Sequence, residues 1–157
     1  MTVVRRVRPQ EWRALRTLRL AALAGEPTAF WTTHDEAAAR PDSWWRDYAT
    51  GSIWVADAGD GRLVGMAAWF LDGDEPHVVA VWVEPDRRGT GDADELMSAV
   101  EADIATLGHR HAKLWVNEAN PRARRLYERR GYVATGRRMP MQPHPGVIEI
   151  ELTKPLT

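Results

Sequence analysis

The sequence of 157 residues contains no cysteine, and this absence excludes several kinds of site at once. Disulfides, thiolate metal sites and a cysteine nucleophile all require that side chain. Long hydrophobic runs are also missing. The longest, 64–71 and 78–83, are far shorter than the roughly eighteen apolar residues that cross a bilayer. We therefore expect no membrane partner.

A signal peptide and a large net charge are lacking as well. Residues 1–8 carry basic side chains without the apolar core of a signal peptide, so we expect a cytoplasmic protein. The net charge of −1 argues against nonspecific nucleic-acid binding, and we expect no nucleic-acid partner. The histidines form no His-Glu-X-X-His motif, so the sequence predicts no metal site.

The residues that are present indicate a soluble globular protein, with 44% hydrophobic and 27% charged residues, and we expect a single domain over 1–157. The charges are unevenly distributed. Residues 119–138 hold seven arginines and one acid, whereas residues 84–103 hold seven acids and two arginines. Arginine suits phosphate recognition, although a compositional bias of the genome would give the same excess.

Hydrophobic periodicity and turn residues predict an alternation of strands and helices. The predicted strands are 3–8, 52–58, 62–71, 78–83, 112–117, 132–137 and 147–153. The predicted helices are 9–25, 33–40, 92–107 and 120–130, with a further turn or two over 43–48, and the proline-rich segment 140–146 is predicted as a loop. A meander followed by a strand–helix–strand crossover predicts an α/β protein with a mixed, mostly antiparallel sheet.

The most informative junction follows the strand 78–83. Glycines at 89 and 91, between a strand and a helix, expose backbone N–H groups, and the helix dipole adds positive potential that suits a pyrophosphate. Arg87 and Arg88 would reinforce it. The third glycine of the Rossmann fingerprint and the Gly-Lys-Ser/Thr of a P-loop are both absent. An ordinary surface turn before a helix would use the same glycines.

The helix that starts at Asn120 is the second informative element. Ala123 and Tyr127 share one face with Asn120, and the small Ala123 leaves room for a ligand along that face. A phenol with a pKa of about 10 can hand a proton to a leaving thiolate or alkoxide. Packing in the core is the alternative role for this tyrosine.

Together these features resemble the GNAT superfamily of acyl-CoA-dependent N-acetyltransferases. The resemblance depends on the segment Arg88-Gly89-Thr90-Gly91-Asp92-Ala93 after a strand, and on the later series Asn120, Ala123, Leu126-Tyr127 and Gly131-Tyr132 in the right order and spacing. Residues 19–30 resemble the first helix and substrate-side loop of small members. The resemblance implies a GNAT-type sheet of about seven strands with about four helices, and acetyl-CoA as cosubstrate without a metal.

The resemblance also implies roles for individual residues. The backbone of Val81, Trp82 and Val83 would pair with the pantetheine arm and orient the thioester carbonyl. Asn120 and Ala123 would contact the cofactor, and Tyr127 would protonate the departing thiolate. The cofactor's pyrophosphate would bind at the loop residues Arg87, Arg88, Gly89, Thr90, Gly91, Asp92 and Ala93.

One residue departs from the family pattern. Asp92 stands where the family usually has a branched apolar residue, and Asp94 and Glu95 follow it. Acids favour a helix N-terminus, but they would repel a pyrophosphate if they faced it. This departure leaves open a noncatalytic acyl-CoA-binding module.

Direct attack of an amine on a thioester needs no enzyme nucleophile, but it does need a group that takes the amine proton. The sequence offers Glu84, just past the strand 78–83, and His77 at its start, or a water held by either. These alternatives stay open at the level of sequence.

The acceptor side of the family includes the region that here holds the aromatic residues Phe30, Trp31, Trp44, Trp45 and Tyr48. Aromatic faces and nearby acids attract cations, so the sequence favours a small, cationic, partly apolar primary amine. The acids in question are Glu26, Asp35, Glu36, Asp74 and Glu75. Inward packing of the aromatics, a peptide or protein amine as acceptor, and a homodimer all remain open.

Overall fold

The computed structural model describes residues 2–157, in which a seven-stranded sheet is flanked by five α-helices. The strands are β1 (Val3–Arg6), β2 (Ile53–Asp57), β3 (Leu63–Asp72), β4 (Glu75–Val83), β5 (His111–Asn117), β6 (Val133–Met141) and β7 (His144–Pro155). The helices are α1 (Trp12–Gly25), α2 (His34–Ala38), α3 (Asp42–Tyr48), α4 (Asp92–Thr106) and α5 (Pro121–Arg129). This mixed, mostly antiparallel architecture confirms the predicted fold class. Within residues 2–157 no helix is long and apolar enough to cross a membrane.

Each face of the sheet has its own hydrophobic core. Helices α1 to α3 pack on one face around Leu15 and Trp45, and α4 and α5 pack on the other around Leu96 and Val100. Burial of β3 runs without interruption from Leu63 to Trp69, because most successive side chains enter one core and then the other. A strand covered on both faces reads as a continuous apolar run, as this one does.

Local capping fixes where the helices begin. The Thr33 side chain accepts a hydrogen bond from the Glu36 backbone N–H at the start of α2, close to where the sequence predicts that this helix begins. The Asn120 side chain accepts from the Ala123 N–H, with proline at the first position of α5. The short α3 begins directly after Pro41, which separates it from α2 and accounts for a fifth helix.

The order of the sheet is β1-β2-β3-β4-β5-β7-β6, and β4 and β5 form a parallel pair in its middle. These two strands share a single register pair, His77 with Lys113. Both strands continue beyond it, β4 to Val83 and β5 to Asn117. The strands therefore separate toward their C-terminal ends and leave a gap whose edges carry backbone groups without a partner strand.

A β-bulge lies on the β4 side of this gap. One extra residue is inserted along 79–82 of β4 relative to 66–68 of β3. Within the bulge Ala80 adopts φ +56°, in the left-handed region that residues with a side chain seldom occupy. Such a conformation persists only where the surrounding structure holds it, and it clusters at functional sites.

The prediction of a proline-rich loop over 140–146 was wrong. Strand β6 continues to Met141 and β7 begins at His144, so the two form a tight hairpin. Strand β6 is one of the two edge strands of the sheet, and an edge strand tolerates Pro140, which has no N–H to donate. No residue of this segment reaches the cavity described below.

Candidate active site

A cavity of about 670 Å³ occupies the gap between β4 and β5. Its walls include residues 78–83 of β4 and 114–117 of β5, which are the parts of both strands that have no partner across the gap. Residues 29–32 after α1 and one face of α5 close it on other sides. The volume lies within the range of small-molecule sites, roughly 300 to 1,000 Å³.

At one end of the cavity, the loop between β4 and α4 presents a run of free backbone donors. None of the N–H groups from Gly89 to Asp94 finds a hydrogen-bond acceptor within residues 2–157. Gly89 and Gly91 adopt φ +78° and +90°, and α4 begins directly after Gly91. Consecutive free donors at a helix N-terminus suit an anionic group such as a phosphate.

An internal carboxylate already engages two arginines at this end. Glu26, just past α1, accepts hydrogen bonds from the guanidinium groups of both Arg88 and Arg122. All three side chains line the cavity. A carboxylate therefore lies between two of the cations that would bind a phosphate.

Asp92 is directed away from the cavity. It is 3% exposed, its carboxylate lies 3.1 Å from Nη2 of Arg87, and it also accepts from the Thr2 hydroxyl. The Thr90 hydroxyl donates to the Arg87 carbonyl oxygen, and neither Thr90 nor Asp92 is part of the cavity wall. The negative charge of Asp92 is thus paired with Arg87, which offsets its repulsion of a nearby phosphate.

Tyr127 lies in the α5 wall of the cavity and is 8% exposed. No hydrogen-bond partner for its hydroxyl is found in the described part of the chain, whereas the neighbouring Tyr132 hydroxyl donates to Glu101. Burial, with a smaller contribution from Glu26, raises the pKa of Tyr127, so the phenol stays protonated at neutral pH. Tyr127 therefore offers an unused donor in the cavity wall.

Of the two residues predicted as proton acceptors, one lines the cavity and the other does not. Glu84 lies outside the cavity, where it pairs with Arg62 at 2.9 Å. His77 lines the cavity, and burial lowers the pKa of its imidazole, which favours the neutral form.

Glu149 on β7, which sequence analysis missed, also lines the cavity and is 2% exposed. Burial raises the pKa of Glu149, although the indole N–H of Trp31 donates to the carboxylate at 2.5 Å. One signal was available. Glu149 and Glu151 alternate with the apolar residues Ile148, Ile150 and Leu152 along β7, so both point to the same face. Glu151 is bonded to Thr135 and Arg137 and does not reach the cavity.

The predicted aromatic residues are divided between cavity and core. Phe30 and Trp31 line the cavity, whereas Trp45 is fully buried in the core and Trp44 stacks on Tyr48 at 4.9 Å. Tyr48 itself reaches the cavity. The prediction of Phe30, Trp31 and Tyr48 at the cavity thus agrees with the structure, whereas Trp44 and Trp45 pack among the helices and do not line the cavity.

The charges of the acceptor side also differ from those expected. The cavity is lined there by Arg19, Asp72 and Glu149. The acids that the sequence favoured but that lie outside the cavity are Asp35, Glu36, Asp74 and Glu75. The predicted cofactor residues that line the cavity are Val81, Trp82, Val83, Arg87, Arg88, Gly89, Gly91, Ala93, Asn120, Ala123 and Tyr127.

Comparison with known sequences identifies relatives of this chain. A sequence model of the acetyltransferase (GNAT) family matches residues 12–132. Mycothiol acetyltransferase of Clavibacter sepedonicus is 31% identical over 115 residues, which are 73% of this chain and 37% of that protein. An uncharacterized N-acetyltransferase of Mycobacterium tuberculosis is 38% identical over 81 residues, 50% of this chain and 51% of that protein. The chain thus spans about a third to a half of the length of these curated relatives.

Comparison with solved structures finds the same fold. Phosphinothricin acetyltransferase from Sinorhizobium meliloti, solved with acetyl-CoA, superposes with a TM-score of 0.80 at 16% identity, covering 99% of this chain and 88% of that chain. The PaiA N-acetyltransferase from Thermoplasma acidophilum, solved with coenzyme A, gives a TM-score of 0.70 at 13% identity and covers 99% of both chains. At these identities the likeness is one of fold.

Proposed function

This chain belongs to the GNAT family of acetyltransferases, and on that premise we propose that it transfers the acetyl group of acetyl-CoA directly to a primary amine of a small molecule. The observation that carries the proposal is the run of free N–H donors from Gly89 to Asp94, at the end of a cavity that enters the gap between β4 and β5. The names of the sequence relatives, an acetyltransferase and an N-acetyltransferase, support the same reaction class.

The residues present suit acetyl-CoA, which supplies an activated acetyl thioester. The free donors and Arg88 would hold its pyrophosphate, with Arg122 available to a further phosphate. The unpaired edge of β4 at Val81 to Val83 would bind the pantetheine amides as a neighbouring strand would. The small side chain of Ala123 on α5 would leave space for the pantetheine arm on the opposite side of the cavity.

Two protons move when the amine nitrogen bonds to the carbonyl carbon and the carbon–sulfur bond breaks. The hydroxyl of Tyr127 would donate to the departing sulfur, since it is protonated and has no other partner among residues 2–157. Glu149 would take the amine proton. Its carboxylate lies in the cavity wall, and burial raises its pKa and so makes it a stronger base than an exposed carboxylate.

Ligand binding and thiol release test this function together. Acetyl-CoA at about 100 to 1,000 times its dissociation constant should stabilise the folded chain by about 3 to 4 kcal/mol. For a chain of this size that corresponds to a rise in melting temperature of about 5 to 15 °C. Thiol release with a panel of primary amines then separates transfer from binding alone.

The matched variants are Arg88→Glu and Arg124→Glu. Arg88 lies at the phosphate end, which is the end of the cavity formed by the loop between β4 and α4, whereas Arg124 is on α5 outside the cavity. Arg88→Glu should reduce the shift in melting temperature and Arg124→Glu should not. Equal melting with and without millimolar acetyl-CoA would remove the proposal. A shift without thiol release from any amine would favour the noncatalytic module instead.

A further inference from the structure

Arg19 on α1 brings an unneutralised positive charge to the cavity wall. Its guanidinium carbon lies 5.7 Å from the ring centroid of Phe30 and 5.4 Å from that of Tyr48. Nε and Nη1 are both buried and have no hydrogen-bond partner within residues 2–157. The charge therefore rests on aromatic faces at the acceptor side of the cavity, with donors still unused.

Other arginines of α1 are satisfied in ordinary ways. Arg13 lies over the Trp12 ring at 4.4 Å but is exposed to water, and Arg16 donates to the Ala38 carbonyl oxygen. Buried donors without an acceptor are costly, and for a charged group the cost is larger. Arg19 is thus the guanidinium of α1 whose environment calls for an anion from outside the chain.

We propose that Arg19 binds a carboxylate of the acceptor, so that the amine that receives the acetyl group belongs to an amino acid or a short peptide with a free carboxylate. This inference rests on the proposed function. The planar guanidinium fork matches a carboxylate in two parallel hydrogen bonds. Phe30, Trp31 and Tyr48 offer apolar contact for the side chain of such a compound, and Glu149 in the same cavity can accept its amine proton.

The inference revises the cationic acceptor favoured by sequence alone. That expectation depended on acids of 26–48 and 72–77, of which Glu26 is held by Arg88 and Arg122 at the phosphate end. Arg19 lies outside those segments, so its charge was not counted. A compound with one amine and one carboxylate fits both Arg19 and the remaining acids, Asp72 and Glu149.

The test compares acceptors that differ only in the carboxylate. Phenylalanine, leucine and histidine are each supplied as the acid, the amide and the decarboxylated amine, with acetyl-CoA and thiol release as the readout. For the wild-type chain, kcat/KM for the best acid should exceed those for its amide and amine by about 10- to 300-fold. An amide amine is less basic than that of its acid and more of it is free to attack, so basicity alone would favour the amide.

Two variants of Arg19 and one control locate the effect. Arg19→Gln should abolish the preference by raising KM for the acid, with kcat/KM for the amide changed by less than about threefold. Arg19→Lys should retain part of the preference, because it keeps the charge but loses the fork. Arg13→Gln, which removes an exposed arginine from the same helix, should leave the preference intact. Acetyl-CoA affinity should stay unchanged in all three.

The possible results distinguish a failure of the carboxylate site from a failure of the proposed acetyltransferase function. Acetyl transfer without a preference for the amino acids over their amides and amines would overturn the carboxylate site, and so would a preference that persists in Arg19→Gln. Either result would still agree with the proposed acetyltransferase function. If no amine is acetylated, calorimetric titration of the wild-type chain with the three acids still decides the inference: binding that Arg19→Gln abolishes supports it, and no binding overturns it.

Discussion

Replacing Glu26 with glutamine should increase the affinity of this chain for acetyl-CoA. The Glu26 carboxylate accepts hydrogen bonds from Arg88 and Arg122 at the end of the cavity proposed to bind pyrophosphate. A phosphate that binds the same guanidinium groups must first break these contacts and then tolerate a nearby negative charge. Glutamine keeps the size of the side chain and removes its charge.

The expected magnitude follows from the exposure of the two ion pairs. The side chains of Glu26, Arg88 and Arg122 are 22%, 30% and 51% exposed, so water screens both pairs. Pairs of this kind contribute about 0.2 to 1 kcal/mol each. Releasing both should lower the dissociation constant by about 2- to 30-fold, since each 1.4 kcal/mol corresponds to about tenfold.

Isothermal titration calorimetry with acetyl-CoA measures this change directly. Glu128→Gln is the matched control, because Glu128 also pairs with an arginine, Arg124 at 3.6 Å, but lies outside the cavity. Its affinity for acetyl-CoA should equal that of the wild type. The gain from Glu26→Gln should shrink in high salt, because screening weakens charge interactions at a partly exposed site.

An unchanged or weaker affinity in Glu26→Gln would refute this reasoning. It would mean that the ligand does not compete with Glu26 for Arg88 and Arg122, either because its phosphates bind elsewhere or because the carboxylate helps to orient the arginines in the complex.

Three further predictions concern catalysis, pH and the bulge. Tyr127→Phe should lower kcat for thiol release by about 10- to 1000-fold with little change in acetyl-CoA affinity, and an unchanged kcat would return Tyr127 to a packing role. Burial raises the pKa of Glu149 above its ordinary 4.5, so the wild type should lose stability relative to Glu149→Gln as pH rises from 4.5 through the raised value. Thermal melts across this pH range measure that difference, and a constant difference would contradict it. Ala80→Val should lower the free energy of unfolding by about 1 to 3 kcal/mol, because a β-branched residue is strained at φ +56°. Denaturant titration measures this free energy, and an unchanged value would contradict the prediction.

Local chemistry was sufficient for much of the fold. The hydroxyl of Thr33 and the N–H that it caps are three residues apart, and the same is true of Asn120 and Ala123. The apolar periodicity of α4 and the continuous apolar run of β3 are likewise visible within one element. Because these signals involve only near neighbours, they predict the elements, the glycine-containing loop after β4 and the face of α5 that carries Tyr127.

The composition of the site was decided by contacts between distant parts of the chain. The gap exists because β4 and β5 pair only at His77 and Lys113 and then separate. The order of strands in the sheet depends on pairing between distant segments, so no single segment of the sequence predicts it. Alternation predicts that Glu149 and Glu151 share a face of β7, but not what covers each of them. Glu151 accepts hydrogen bonds from Thr135 and Arg137 of β6, whereas Glu149 lines the cavity.

The same reason explains the residues that sequence position misplaced. Glu84 follows β4 directly, but its carboxylate pairs with Arg62, which comes just before β3. Trp45 packs into the core that α1 to α3 form on one face of the sheet. Arg19 and Glu26 lie within one helix and its end, yet one reaches the acceptor side and the other the phosphate end. Most of the strands and helices, and the run of exposed backbone N–H groups after β4, follow from residues that are close together in the sequence. Only tertiary packing decided which charges face the cavity and which are neutralised, because the partner of each charge comes from a distant segment.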